Sequence, residues 1–348
     1  MTGVLHVDLD TIAANIARVR TVVGAAELML VVKDDAYGHG LDAVVRRAWR
    51  EGVCWIGAFD VATGRRVREV LGEDVRIFSW IAASRAEVAE AIAFDLDLGV
   101  GDADLLEDVA SEARAVGARV RVHLKVDTGL HRNGVRPEDW PAFVRRAAEL
   151  AAEGLVDVVG VWSHISEASD EDDDEARALF DAAVDAARGA GLAPELRHLS
   201  ASAASFARPE FRYDLVRVGA FCFGIRPAGG PASDALGIQP AATLEGRVIS
   251  VAAGRVTIDV GALDGVPSRL GGLVSVGTPA GSRRLLTVGA VSTVEDWPDA
   301  APGDTVTVYG PGRHGEGSAT DLAEAIETIG EEIAVRVSPL VPRVYAGE

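Results

Sequence analysis

The sequence predicts a (β/α)8 TIM barrel followed by a C-terminal β-rich domain. Three observations predict it. Eight apolar, strand-like runs alternate with helical patterns before residue 229. Polar residues suited to chemistry (Lys33, Asp127, His164, Ser202 and Gly219) stand at or just past the ends of five different runs. Beyond Ala228-Gly229-Gly230-Pro231-Ala232-Ser233 the texture changes to short β runs punctuated by Gly and Pro.

In order, a short strand over 4–7 is followed by a helix over 10–23, with Ile12, Ile16, Val19 and Val23 at helical spacing. The barrel strands fall at 28–32, 53–59, 75–80, 96–100, 119–126, 156–163, 196–200 and 215–218. Helical patterns over 41–51, 85–92, 102–116, 137–153 and 171–189 lie between them. A doubly wound open sheet is the competing architecture. The barrel is preferred because its strand ends share one rim, which would gather the five polar positions at one mouth. The division expected is a barrel over 9–229 and a β-rich domain over 230–348. In the second domain, β runs fall at 242–251, 255–260, 273–276, 284–291, 304–309 and 333–337, with one helix near 320–329.

Charge and composition exclude several functions. At 348 residues the chain exceeds one ordinary domain. A formal net charge of −19 argues against nucleic-acid binding, which needs clustered Lys and Arg. The two cysteines, Cys54 and Cys222, make no disulfide framework, neither has metal-ligand spacing, and no metal site is expected. No signal-peptide pattern opens the chain and no apolar run has the length of a membrane span, so a cytoplasmic protein is expected.

The central stretch is Val31-Val32-Lys33-Asp34-Asp35-Ala36-Tyr37-Gly38-His39-Gly40. A lysine at the end of a buried strand is usually a boundary residue with its stem on the core. It can also be a desolvated amine with a lowered pKa, suited to Schiff-base chemistry. Here Gly38 and Gly40 let the following loop pass close to a ligand.

This stretch resembles the cofactor-lysine motif of the alanine racemase family, whose usual form is Val-Lys-Ala-Asn-Ala-Tyr-Gly-His-Gly; Asp34 and Asp35 differ. The segment from His123 to Val135, which contains Lys125-Val126-Asp127-Thr128-Gly129-Leu130-His131-Arg132-Asn133, resembles the family segment ending His-Arg-Leu-Gly-Val. Arg197-His198-Leu199-Ser200-Ala201-Ser202-Ala203-Ala204 is similar to its His-x-Ala-Asn-Ser-Ala-Ala, and Val216-Arg217-Val218-Gly219-Ala220 to the motif that follows.

The resemblance implies pyridoxal 5′-phosphate as cofactor, and a barrel with a β domain joined by the first strand, over 1–8. Lys33 would hold the cofactor and act as a base. Tyr37, Ser202 and the backbone amides of Gly219 and Ala220 would hold its phosphate. His164 would pack on the pyridine ring and Arg217 would face the pyridine nitrogen. An arginine does not accept a proton, so that nitrogen would stay unprotonated and the ring a weaker electron sink. Arg132 would bind the substrate carboxylate. In the family the lysine matching Lys125 is often carbamylated and orients that arginine. A homodimer acting on a small amino acid, interconverting L and D forms, is implied as well.

The second domain departs from the pattern at the chemistry. The family's Gly-Tyr-Ala-Asp-Gly reads Gly261-Ala262-Leu263-Asp264-Gly265, so Ala262 replaces the tyrosine that serves as second base in the partner's pocket. Its Cys-Met-Asp-Gln reads Ser292-Thr293-Val294-Glu295, and Glu331 replaces a substrate-gate tyrosine. The expectation is a racemase-like enzyme of weak or altered alanine activity; the alternative is a non-catalytic, cofactor-holding or regulatory protein. The related decarboxylases fit less well, because both cysteines precede residue 228 and none matches their second-domain cysteine. Gly310-Pro311-Gly312-Arg313-His314-Gly315 fits a dinucleotide fingerprint but lacks the βαβ context, and reads as a glycine-rich turn.

Overall fold

A computed structural model describes residues 3–199 and 201–348. The strands are β1 Val4–Asp8, β2 Glu27–Val31, β3 Trp55–Asp60, β4 Arg76–Ile81, β5 Asp97–Val100, β6 Val120–Lys125, β7 Val156–Trp162, β8 Leu196–His198, β9 Leu215–Val218, β10 Ala242–Ala252, β11 Arg255–Ile258, β12 Ser275–Thr278, β13 Gly281–Val288, β14 Ser292–Glu295, β15 Thr305–Tyr309 and β16 Arg343–Ala346. The chain divides into two compact units, one of Val19–Lys33 and Ala48–Val218, the other of Met1–Arg18, Asp34–Arg47 and Gly219–Glu348.

The first unit holds the barrel. Its parallel sheet runs β8-β7-β6-β5-β4-β3-β2-β9, so the strand that opens the barrel pairs with the strand that ends it. Runs such as β2 and β3 were legible because a strand buried on both faces is largely apolar. Between β8 and β9 the seam is closed largely by side chains. Asp214 N–H donates to the Arg197 carbonyl at 3.2 Å, and the Asp214 carboxylate accepts from Arg197 N–H at 2.9 Å and from its guanidinium at 2.8 and 3.0 Å. The interior is filled by Met29, Trp55, Phe78, Trp162 and Leu215, all fully or almost fully buried. Such aromatic burial is the dominant stabilising term of a barrel core.

Helices Val61–Leu71, Arg85–Ala93, Ala103–Val116, Trp140–Ala152 and Asp170–Gly189 alternate with the strands. Their starts are set locally. Asp60, Ser84, Asp102 and Ser169 each accept a hydrogen bond from the backbone N–H three residues on. The acidic run after Ser169 is such a start, its carboxylates complementing the helix dipole.

The second unit is built on an eight-stranded sheet ordered β11-β14-β13-β12-β15-β10-β1-β16. β1 belongs here, antiparallel to β10. Three readings of this unit differ from the sequence expectation. Ile333-Ala334-Val335-Arg336-Val337 looks like a strand but lies largely in the helix Gly330–Val335, entered through Glu331 and Glu332. The helix expected near 320–329 ends at Glu324. β14 and β16, four residues each, carried too little apolar pattern to be read. The glycine-rich loop after β15 wraps an internal anion: the buried carboxylate of Glu316 accepts from the N–H groups of Gly312, Arg313 and His314 at 2.9, 3.0 and 2.8 Å. No helix among the described residues is long and apolar enough to cross a membrane.

Candidate active site

In the barrel unit, Lys33 comes two residues after β2, Asp127 two after β6, His164 two after β7 and Ser202 four after β8. Lys33, His164 and Ser202 are half-buried, Lys125 and Arg217 are buried, and Arg132 is exposed. Ser200 lies outside the described residues.

Two of these cations stand over Trp162. The Lys125 ammonium lies 4.4 Å from the Trp162 ring centroid and the Arg217 guanidinium 5.1 Å. The Asp127 carboxylate accepts from the N–H groups of Gly129 and His131 at 3.1 and 3.0 Å. Burial, then the charges of Arg217 and Arg132, bring the Lys125 amine down to about 7, with Asp127 opposing. Burial and then Arg132 bring Arg217 down to about 9, still charged at neutral pH. Burial and the positive charges of Arg217, Arg132, Lys125 and Lys33 hold the His164 imidazole neutral, well below its ordinary value.

Arg217 is held by neutral groups. It donates to the carbonyls of His198, Ser163 and Leu199 at 2.9, 2.8 and 3.1 Å, and to the Nδ1 atoms of His198 and His164 at 3.0 and 3.2 Å. Behind it His198 Nε2 lies 2.9 Å from His123 Nδ1, and His123 Nε2 lies 3.2 Å from the fully buried Asp97 carboxylate. Arg121 and Arg76 close this row on the other side of Asp97. Burial alone would raise the Asp97 carboxyl, but hydrogen bonds from His123 and Arg76 and the charge of Arg121 hold it at about 2. Sequence reasoning missed Asp97, His123 and His198 in this role. The signal present was parity, since His123 and Lys125 share one face of β6.

In the second unit, Asp34, Asp35, Ala36 and Tyr37 form a left-handed turn, with φ of 54°, 54°, 55° and 55°. At about 1–2 kcal/mol for each non-glycine residue, such a turn costs roughly 4–8 kcal/mol. It brings the buried Tyr37 ring to 5.1 Å from Phe223. The Ala220 backbone amide hydrogen-bonds the phenol, and a Cβ on Gly219 would collide with it. Burial first, then Glu331, Cys222 and Asp34, raise the Tyr37 phenol, so it stays protonated. A phenol and backbone amides suit a phosphate dianion. Ala262 is exposed on a short turn, its N–H donating to the Gly289 carbonyl at 2.7 Å; Thr293 is half-buried on β14.

A parallel barrel that carries cations and a neutral imidazole just past its strand ends is the arrangement of a barrel enzyme with its chemistry at those ends. The description "Alanine racemase, N-terminal domain" matches residues 7–227, and "Alanine racemase, C-terminal domain" residues 248–345. The alanine racemase of Beutenbergia cavernae is 38% identical, covering 98% of this chain and 97% of that protein. That of Thermobifida fusca is 36% identical over 98% of this chain and 97% of its own. The crystal structure of alanine racemase from D-cycloserine producing Streptomyces lavendulae has a TM-score of 0.95 at 33% identity, covering 100% of this chain and 98% of that one. The chain belongs to the alanine racemase family.

Proposed function

We propose that this protein uses pyridoxal 5′-phosphate to act at the Cα–H of an amino acid, with alanine racemisation weak or replaced. The observation that carries the reading is the pairing of a kept Lys33 with Ala262 at the second-base position. Lys33 holds the cofactor and moves a proton on one face of Cα. Ala262 has no group that can hold a proton for the other face. Bound there, the cofactor withdraws electrons from Cα.

Tyr37, Ser202 and the amides of Gly219 and Ala220 hold the phosphate; His164 packs on the ring; Arg217 faces its nitrogen. Arg217, surrounded by carbonyls and imidazoles, supports that assignment, since it keeps a charge without a proton to share. Arg132 takes the substrate carboxylate. A Lys125 amine brought to about 7 supports carbamylation: its nitrogen attacks carbon dioxide, loses a proton, and the resulting anion orients Arg132. Glu331 favours a substrate with a cationic side chain.

The protein is inferred to be a cytoplasmic homodimer by analogy with the family. Exposed Leu263, Ile329 and Leu340 support the dimer. The division at 229/230 falls between the family matches over 7–227 and 248–345, and the pairing of β1 with β10 supports the first strand in the second domain. The changes at Ala262, Thr293 and Glu331 together favour one second reading, a cofactor-holding protein without turnover.

Purified protein loaded with pyridoxal phosphate and reduced with borohydride should carry the label on the Lys33 peptide; label on another lysine refutes the site. An amino-acid panel followed by chiral chromatography then separates the readings. Turnover of any amino acid supports the enzyme, and cofactor uptake without turnover supports the second reading.

A further inference from the structure

We propose that His39 holds the turn carrying Tyr37 in its left-handed form, and thereby sets the Tyr37 phenol for a phosphate-bearing ligand. This rests on the cofactor reading above for the ligand, and on geometry alone for the turn.

His39 is almost fully buried. Its Nδ1 lies 3.0 Å from the Ala36 carbonyl oxygen and 2.9 Å from that of Tyr37. Both oxygens can only accept, so Nδ1 carries the hydrogen and donates to the last two residues of the left-handed run. Nε2, buried and without a hydrogen-bond partner among the described residues, is then a bare lone pair. A proton there would be a buried charge with nothing to receive it. Burial accordingly brings the imidazole down to about 4, with Arg343 adding to the effect and the two carbonyls opposing it.

The ring is also fixed sideways. It lies 4.8 Å from Phe223, the same ring that packs 5.1 Å from Tyr37, so one phenylalanine braces both. Gly38 and Asp34, Gly40 and Asp35, and the His39 amide and Ala36 are joined by backbone bonds of 2.8, 3.0 and 3.1 Å. Bonds of that kind close a right-handed turn equally well. The reach of the His39 side chain back to two carbonyls depends on the hand of the turn, and so selects it. Gly38 seats the turn, since a Cβ there would come within 2.6 Å of the Ala334 carbonyl oxygen.

Three variants test this. His39→Asn keeps an N–H near the position of Nδ1, while His39→Leu removes it and His39→Gln moves it to the position of Nε2. The ligands are pyridoxal 5′-phosphate and unphosphorylated pyridoxal, titrated by absorbance into apo protein; hydrogen exchange is followed on the peptide spanning 34–41. His39→Leu and His39→Gln should bind pyridoxal phosphate roughly 10- to 100-fold more weakly. Pyridoxal affinity should be unchanged, and exchange of the peptide faster. His39→Asn should restore both properties. Equal weakening of the two ligands, wild-type behaviour of His39→Leu and His39→Gln, or no rescue by Asn overturns the proposal; if Leu fails to fold, Gln and Asn decide it. Wild-type protein that takes up neither ligand refutes the cofactor reading and, with it, the phosphate half of this proposal. The hand of the turn is then decided by exchange, and peptide protection unchanged in the variants overturns it.

Discussion

Arg217 donates to Nδ1 of His198 at 3.0 Å, and that contact gives direction to a hydrogen-bond row through the barrel. Arginine only donates, so His198 must accept at Nδ1 and carry its hydrogen on Nε2. That hydrogen points at His123 Nδ1, which leaves the His123 hydrogen on Nε2, facing the Asp97 carboxylate. Each member is satisfied in one direction only. Both imidazoles are held neutral by burial, and the row ends on a carboxylate that can only accept.

Asp97→Asn breaks that logic. The variant loses the charge that serves His123, Arg76 and Arg121, and an amide turned to donate would oppose the His123 hydrogen. We expect a loss of about 2–4 kcal/mol, discounted because both arginines are partly exposed. It is read as a lower urea midpoint at unchanged slope. A loss below about 1 kcal/mol would show that the row adds little.

Acid should loosen the fold through its buried histidines. Burial lowers His39, His123, His164 and His198, to about 4 in the case of His39. Facing charges contribute: Arg343 at His39, Arg76 and Arg121 against Asp97 at His123, the four rim cations at His164, and Arg217 at His198. The unfolded chain binds these protons near the ordinary histidine value of 6.5 while the native state does not. Stability is therefore full above about pH 6.5 and falls as the pH drops from there through the native values. Denaturant midpoints measured between pH 8 and pH 5 check this; a flat profile contradicts it.

Gly219→Ala should act through Tyr37. The added methyl collides with the phenol, so we expect a stability loss of about 1–3 kcal/mol and weaker uptake of pyridoxal phosphate. In a Tyr37→Ala background the stability cost of Gly219→Ala should vanish. A cost that persists there would trace to the backbone instead.

Ala262 makes the sharpest kinetic forecast. A lost acid–base group commonly costs about 10²–10⁴-fold, so inversion of alanine should be that far below the family's normal rate. In deuterated water the protein should exchange the Cα proton of one enantiomer of alanine with little inversion. Ala262 is exposed and its backbone is anchored to Gly289, so Ala262→Tyr should raise inversion at least about tenfold. Rapid inversion of both L- and D-alanine by the unmodified protein would sink this reading.

The barrel and its rim were legible because each signal was local. A doubly buried strand is apolar in sequence, and Lys33, His164 and Gly219 follow such strands directly. The left-handed turn was not legible, because Asp34, Asp35, Ala36 and Tyr37 include no glycine to announce it. Nor was the Asp97–His123–His198 row, whose members come from three strands and look like ordinary inward residues. Ile333 to Val337 misled through β propensity, which the packing of a short helix overrode.

The pairing of β2 with β9 has a consequence for synthesis. As the chain leaves the ribosome, Leu28, Met29, Leu30 and Val31 emerge early, yet the neighbour of their outer edge, Leu215 to Val218, is made long afterwards. At typical translation rates of about 5–20 residues per second, that edge stays without its partner for roughly ten to forty seconds. An apolar, unpaired strand edge is a template for association with other chains. Fast synthesis at high expression should therefore yield aggregates seeded by this strand.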